Sequence, residues 1–307
     1  MEVLYIKVIL LKILSILIII ISGYTLKKLS FFSKTDYKLI SKIALNITLP
    51  ATTILSFKTF QKDLSLLGVI PIGIICNLIL LSIGGFISRK KDDKLKALYI
   101  ISSSGYNIGS FTLPFLYNFI GPLGVICTCM FDTGNAPFCV GGSYSFANLF
   151  FKKNDGENLI KSLSKLLYSI PFITYIIMLF ITFSNITLPE SFYSLISPIG
   201  ISNTFLSMLM IGMMFEVEFK KEYLFHSASI LIIRYSMATI FALVFYFLLP
   251  FSLEIKKILI LLMFAPISGV GPIFVDKCNG DVGLASFISS VSIIISVIIM
   301  SSLMFFI

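Results

Sequence analysis

The stretch Ser102-Ser103-Ser104-Gly105-Tyr106-Asn107-Ile108-Gly109-Ser110-Phe111-Thr112-Leu113-Pro114-Phe115 decides how this chain folds. It lies inside a segment long enough to cross a bilayer, yet it carries four serines, two glycines, an asparagine and a proline. Proline removes a backbone donor and clashes with the preceding turn, and glycine adds conformational freedom, so the helix is expected to open between Asn107 and Pro114. Lipid satisfies no free N–H or C=O group. Irregular backbone at membrane depth therefore survives only when buried in protein or lining a polar cavity. Two readings follow: a proline kink healed by neighbouring helices, or the interrupted helix at which a transporter holds its solute.

Working outward, the 307 residues are 57% hydrophobic and 13% charged, with a mean hydropathy of +1.00. That composition predicts an all-α polytopic membrane protein, because each crossing needs about 20 apolar residues. About ten transmembrane helices fit, here called spans 1 to 10. They are read at Val8–Leu26, Tyr37–Phe57, Leu64–Ser88, Leu95–Phe119, Pro122–Phe151, Leu163–Phe183, Pro198–Phe219, Tyr223–Leu249, Ile255–Val275 and Val282–Ile307. No cleavage-site pattern follows the first apolar run, so span 1 is read as retained. The longest polar connection, Lys152 to Lys165, is too short to fold alone.

The net charge of +9 does not point to nucleic acid, since the basic residues sit in short connections between apolar runs. Connections after odd spans carry seventeen Lys and Arg residues and those after even spans carry four, Lys58, Lys62, Lys256 and Lys257. By the positive-inside rule the odd connections are cytoplasmic and both termini are extracytoplasmic; Lys7 and Lys12 run against that count. Cys76, Cys127, Cys129, Cys139 and Cys278 show no metal-ligand spacing. His226 is the only histidine, so neither a metal site nor a histidine-based acid–base pair has a second member. No catalytic residues, metal or cofactor are expected, and an enzyme is disfavoured.

The two halves echo each other. Span 9 contains Ala265-Pro266-Ile267-Ser268-Gly269-Val270-Gly271-Pro272, and a common offset pairs Asn46 with Asn203, Pro114 with Gly271, Asp132 with Ser289 and Asn135 with Ser292. Five spans per half place the second half upside down relative to the first. The chain is thus divided as 1–151, a five-span repeat; 152–165, a cytoplasmic connection; and 166–307, a five-span inverted repeat. Paired broken helices in two halves point to a midplane site.

These motifs resemble the auxin efflux carrier family, the PIN-like carriers of plants and their bacterial relatives described as malate or other organic-acid permeases. The resemblance rests on Asn46-x-x-Leu49-Pro50 with Ser56-Phe57, on the spacing from Asn107 to Pro114, and on Gly200 to Gly212 with Met213-Met214. Arg234 in span 8, Pro266 with the following Gly271-Pro272, and the Asp276–Asn279 turn complete it. Thr112 stands where the family commonly has glycine, and Pro272 sits one residue later than expected. The abundant Lys and Ile and the lack of a plant-like central loop favour a bacterial source. The resemblance implies two five-helix inverted repeats in which broken helices 4 and 9 cross, with spans 1, 2, 6 and 7 as a scaffold.

The functional expectation is a secondary active transporter in the cell (plasma) membrane. It would move a small organic anion, auxin-like or a dicarboxylate such as malate, by alternating access. The alternatives are a passive anion channel, with flux that neither saturates nor couples to a gradient, and a carrier-derived solute sensor that binds without moving its ligand. Half-helix N-termini attract carboxylates without a lysine, so the substrate-binding candidates are Asn107, Pro114, Asn46, Gly271, Ser268 and Arg234. Asn107 is either a ligand or a repair for backbone freed by the proline. Asp132, Asn135 and Ser292 are the ion-coupling candidates, with H⁺ or Na⁺ as the ion. Asp132 and Arg234 fall mid-span, where a charge costs ~2.5–3.5 kcal/mol, and are expected to lie close together, either as functional groups or as a neutralising pair. Asn46, Thr48, Asn203 and Thr204 are read alternatively as helix cement. Expected partners are the anion, the bilayer and a second copy of the chain in a homodimer.

Overall fold

The structure, a computed structural model, describes residues 2–60, 63–151, 164, 168–215 and 220–306. The proposed connection 152–165 lies outside the described residues apart from Ser164. Helix α1 (Glu2–Lys28) is followed by α2 (Tyr37–Ile43), which runs through a wide π-type turn (Ala44–Thr48) into α3 (Leu49–Phe57). A 3-10 turn (Leu64–Gly68) leads to α4 (Val69–Ser88). Then come α5 (Asp93–Ser103), an interruption, a second wide turn (Ile108–Thr112) and α6 (Leu113–Phe119). Helix α7 (Pro122–Pro137) passes through a third wide turn (Phe138–Gly142) into α8 (Ser143–Phe151). The remainder is α9 (Ile170–Phe183), α10 (Glu190–Met214), α11 (Lys221–Leu248), α12 (Leu253–Met263), α13 (Gly271–Lys277) and α14 (Val282–Leu303). No strand occurs among the described residues beyond one isolated bridge, Tyr106 to Ile267.

Seven of these helical runs are long and apolar enough to cross a membrane. Helix α9, with 14 residues, spans only ~21 Å at 1.5 Å per residue. The other two segments in the ten-span reading are interrupted: α5–α6 and α12–α13. Polar residues mark where helices start at the bundle ends. Asp92 accepts from Leu95 N–H at 3.3 Å, Ser252 from Ile255 N–H at 3.4 Å and Asp281 from Leu284 N–H at 2.9 Å, each covering a donor the helix cannot satisfy itself. The seventh segment begins at Glu190, not Pro198 as expected. Pro189 and Glu190 provide a helix start, and Pro198 lies within α10.

The helices sort into two panels. In the first, α10 packs on α1 and on the α2–α3 run, and α9 packs on α3. Thr48 Oγ1 donates to Asn203 Oδ1 (2.8 Å) and Thr52 Oγ1 to Gly200 O (2.7 Å), so these polar groups join two apolar helices. In the second panel α4 packs on α5 and α7, α11 on α12, α14 and α5, and α13 on α14 and α5. The panels meet where α3 touches α7 and where α10 touches α6 and the wide turn before it.

The bundle ends separate by connection. At one end Lys58 pairs with Glu190, and a cavity of ≈ 520 Å³ is lined by Thr59, Asp63, Pro122, Ser252 and Glu254 among others. These residues belong to connections after even spans. At the other end Lys91 and Asp92 lie within electrostatic reach of His226, and Tyr223 bonds both Lys220 and Asp281. Those belong to odd connections. Lys12, which ran against the charge count, donates to Asn118 O at the end of α6 (2.6 Å), and a cation is favoured at a helix C-terminus.

Candidate functional site

The interruption in the fourth segment sits earlier than the sequence suggested. Helix α5 ends at Ser103, Ser104 is extended, and Gly105 takes a φ of +71°. By Ile108 the chain is helical again, and Pro114 is the second residue of α6. Pro114 lies beyond that restart, where the wide turn Ile108–Thr112 before it accommodates the missing donor, so the proline does not open the helix. The opening belongs to Gly105. A Cβ there would add left-handed strain and sit 3.1 Å from Ser268 Cβ. Pro272 is likewise the second residue of α13. The structural counterpart of Pro114 is therefore Pro272, not Gly271, and the wide turn Ile108–Thr112 accounts for the longer path in the first half.

The two interruptions lie side by side as a short antiparallel bridge. Asn107 N–H donates to Pro266 O (2.8 Å) and Ser268 N–H to Gly105 O (3.2 Å). Side chains take most of the remaining backbone groups. Gly105 N–H donates to Asn77 Oδ1 (2.7 Å), and Tyr106 N–H to Asn135 Oδ1 (2.9 Å). Asn135 Nδ2 returns a bond to Tyr106 O (3.0 Å). In the second half, Ile267 N–H donates to Ser292 Oγ (3.1 Å). Asn135 and Ser292, paired by the offset, thus both serve the bridge residue of their own half. Asn77 also donates to Asn135 Oδ1 (3.2 Å). Their helices approach closely because Gly73 faces Phe131 O and Gly134 faces Ile70 O, where any Cβ would collide with backbone.

Arg234 lies beneath this bridge, 1% exposed. Its Nη1 donates to Ser103 O (2.9 Å) and its Nη2 to Ala265 O (3.4 Å), and the guanidinium carbon stands 3.8 Å from the Tyr106 ring centroid. Ser103 closes α5 and Ala265 follows the end of α12, so one cation faces the negative ends of two half-helices. The expected contact between Asp132 and Arg234 does not form. The half-buried Asp132 instead accepts from Asn135 Nδ2 (2.9 Å), and Arg234 is held by two carbonyls and a ring.

Asn107 behaves differently from its neighbours. It is 8% exposed, and its side-chain amide has no hydrogen bond among the described residues. A Cβ built on Gly269 would stand 3.8 Å from Asn107 Nδ2 and 3.5 Å from Met214 Cε. The free amide, the second interruption and the last residue of α10 therefore meet at the seam between the panels. Beyond Asn107, whose neighbour Ile108 donates its N–H to Tyr106 O (2.9 Å), the N–H groups of Gly109–Phe111 begin a helical run with no preceding turn to bond, so this side of the crossing is the positive one. Ser268 lies on the opposite strand of the bridge, buried. Asn46 is not brought here: it is exposed and donates to Lys42 O (2.9 Å).

Sequence reading missed Asn77 and Tyr106. Asn77 is the single carboxamide in the apolar run Val69–Ser88, and at 0% exposure it had to have a partner. Tyr106 lies within the quoted stretch, and its ring is the face on which Arg234 rests.

Fold and site together define a polytopic all-helical membrane protein built around two interrupted helices. Residues 8–145, a little under half of the chain, match the family model described as a membrane transport protein. Over those residues the chain is similar to membrane transport proteins. The match covers the first interruption with Asn77, Asn107 and Asn135. No curated protein matches the chain.

Proposed function

We propose that the protein is a secondary carrier that moves a small organic anion, such as malate or an auxin-like monocarboxylate, across the cell membrane by alternating access. The observation that carries this reading is the unbonded Asn107 amide at the seam of the two panels, beside the positive starts of the two half-helices. A carboxylate there would accept from the amide and from free N–H groups, with no lysine needed. The first panel serves as scaffold and the second moves against it, so the solute meets one membrane face and then the other. The topology that goes with this has ten spans in two inverted halves and both termini outside. A monocarboxylate or dicarboxylate of a bacterial cell fits the resemblance. Ion coupling, where present, falls to Asp132, a carboxylate held only by Asn135.

Counterflow in proteoliposomes with labelled malate and labelled monocarboxylates tests this. A carrier shows saturable exchange with at least one anion of the panel, and Asn107→Ala removes it while the protein stays folded. Unsaturable flux would identify a channel, and binding without exchange a sensor.

A further inference from the structure

We propose that Arg234 is a fixed cation built into the crossing. It fills the place a mobile alkali cation would take there, so the protein carries its solute without binding Na⁺ at the crossing. In transporters with interrupted helices, the C-terminal ends of half-helices and the unwound carbonyls beside them are what coordinate Na⁺. Here those groups are Ser103 O at the end of α5 and Ala265 O just past α12. They are bonded by Nη1 at 2.9 Å and Nη2 at 3.4 Å. The Tyr106 ring offers its negative face to the same guanidinium at 3.8 Å.

Three further facts separate this from an ordinary buried arginine. No carboxylate balances it: the ion pairs among the described residues are Lys58 with Glu190 and Lys96 with Asp93, and Asp132 is bonded to Asn135. Nε has no partner, so the site does not use the full guanidinium fork; it uses positive charge against two carbonyls. Finally, the guanidinium joins both halves, one carbonyl from each, which is the geometry of an ion bridging two half-helices.

Melting of the purified full chain in sodium chloride, lithium chloride, guanidinium chloride at low concentration, and choline chloride at equal ionic strength tests this without any transport substrate. Its failure is therefore distinct from failure of the carrier reading. The native protein melts at the same temperature in sodium and in choline. Arg234→Ala leaves the carbonyls and the ring facing an emptied space. That variant melts lower in choline and regains at least ~2 °C in sodium, lithium or guanidinium. Arg234→Lys, which keeps the charge, shows no alkali dependence. Where Arg234→Ala does not fold, Arg234→Gln is read in the same way. Sodium stabilisation of the native protein would overturn the proposal, and so would indifference of the neutral variants to all three cations.

Discussion

Asn77, Asn135 and Asn107 are three buried carboxamides within one crossing, and their bonds divide them. Asn77 and Asn135 are spent on the backbone of Gly105 and Tyr106. Removing either strands buried groups, at ~1–3 kcal/mol for each group left without a partner. Asn135→Ala strands the N–H of Tyr106 and takes from Asp132 its bond partner, whereas Asn77→Ala strands the N–H of Gly105, so Asn135→Ala is expected to be the more destabilising in thermal unfolding. Asn107→Ala breaks no hydrogen bond of the described structure and should change ligand-free stability by less than about 1 kcal/mol, while abolishing exchange. A stability loss as large as that of Asn135→Ala would make Asn107 a structural residue. Asp132 has a single bond partner and no cation beside it, so Asp132→Asn is expected to retain the fold and remove any pH dependence of exchange. Unchanged pH dependence measured across the same range would take the proton role away from it.

At the scale of elements, the cause of each interruption matters more than its presence. Gly105 opens the fourth segment, and the helical run resumes at Ile108, before Pro114. Pro114→Ala should therefore leave the interruption in place and shift stability by no more than about 1 kcal/mol. Gly105→Ala should cost ~1–2 kcal/mol for the left-handed backbone alone. Thermal unfolding of both variants decides between glycine and proline as the origin. The existence of both interruptions was legible in the sequence, because glycine, proline and polar residues have no other reason to gather in the middle of hydrocarbon. The placement was not. Proline is the heaviest local signal in the stretch, but the break lies before it, at Gly105, and the chain is helical again from Ile108. The wide turn Ile108–Thr112, which makes Pro272 the partner of Pro114, has no residue signature that a fixed offset could detect. The pairing of Asn135 with Ser292 was legible; that both would face backbone was not, because it depends on the close approach of α4 and α7 through Gly73 and Gly134. Asn77 escaped because a lone asparagine in an apolar run reads as an isolated polar residue until its neighbour across the helix pair is known.

At the scale of the whole molecule, the basic residues of the sequence and the packing of the helices agree on which connections share an end. Lys91, Asp92, Lys220 and Asp281 gather at one end, and Lys58, Asp63, Glu190 and Glu254 at the other. Single cysteines introduced at Lys94 and Thr59 should therefore react with an impermeant thiol reagent from opposite sides of sealed vesicles, Lys94→Cys from the cytoplasmic side. Labelling of both from one side would break the topology. In the proposed transport cycle Asn107, at the seam between the panels, holds the solute and is reached from each side in turn. The most direct test is an Asn107→Cys variant in a background with the five native cysteines replaced, treated with the impermeant reagent from each side in turn, with and without a transported anion. Modification from both sides and protection by the anion are expected. A cysteine at 107 that reacts from neither side, or whose reaction the anion leaves unchanged, would show that the crossing is a sealed structural joint and that the solute passes elsewhere.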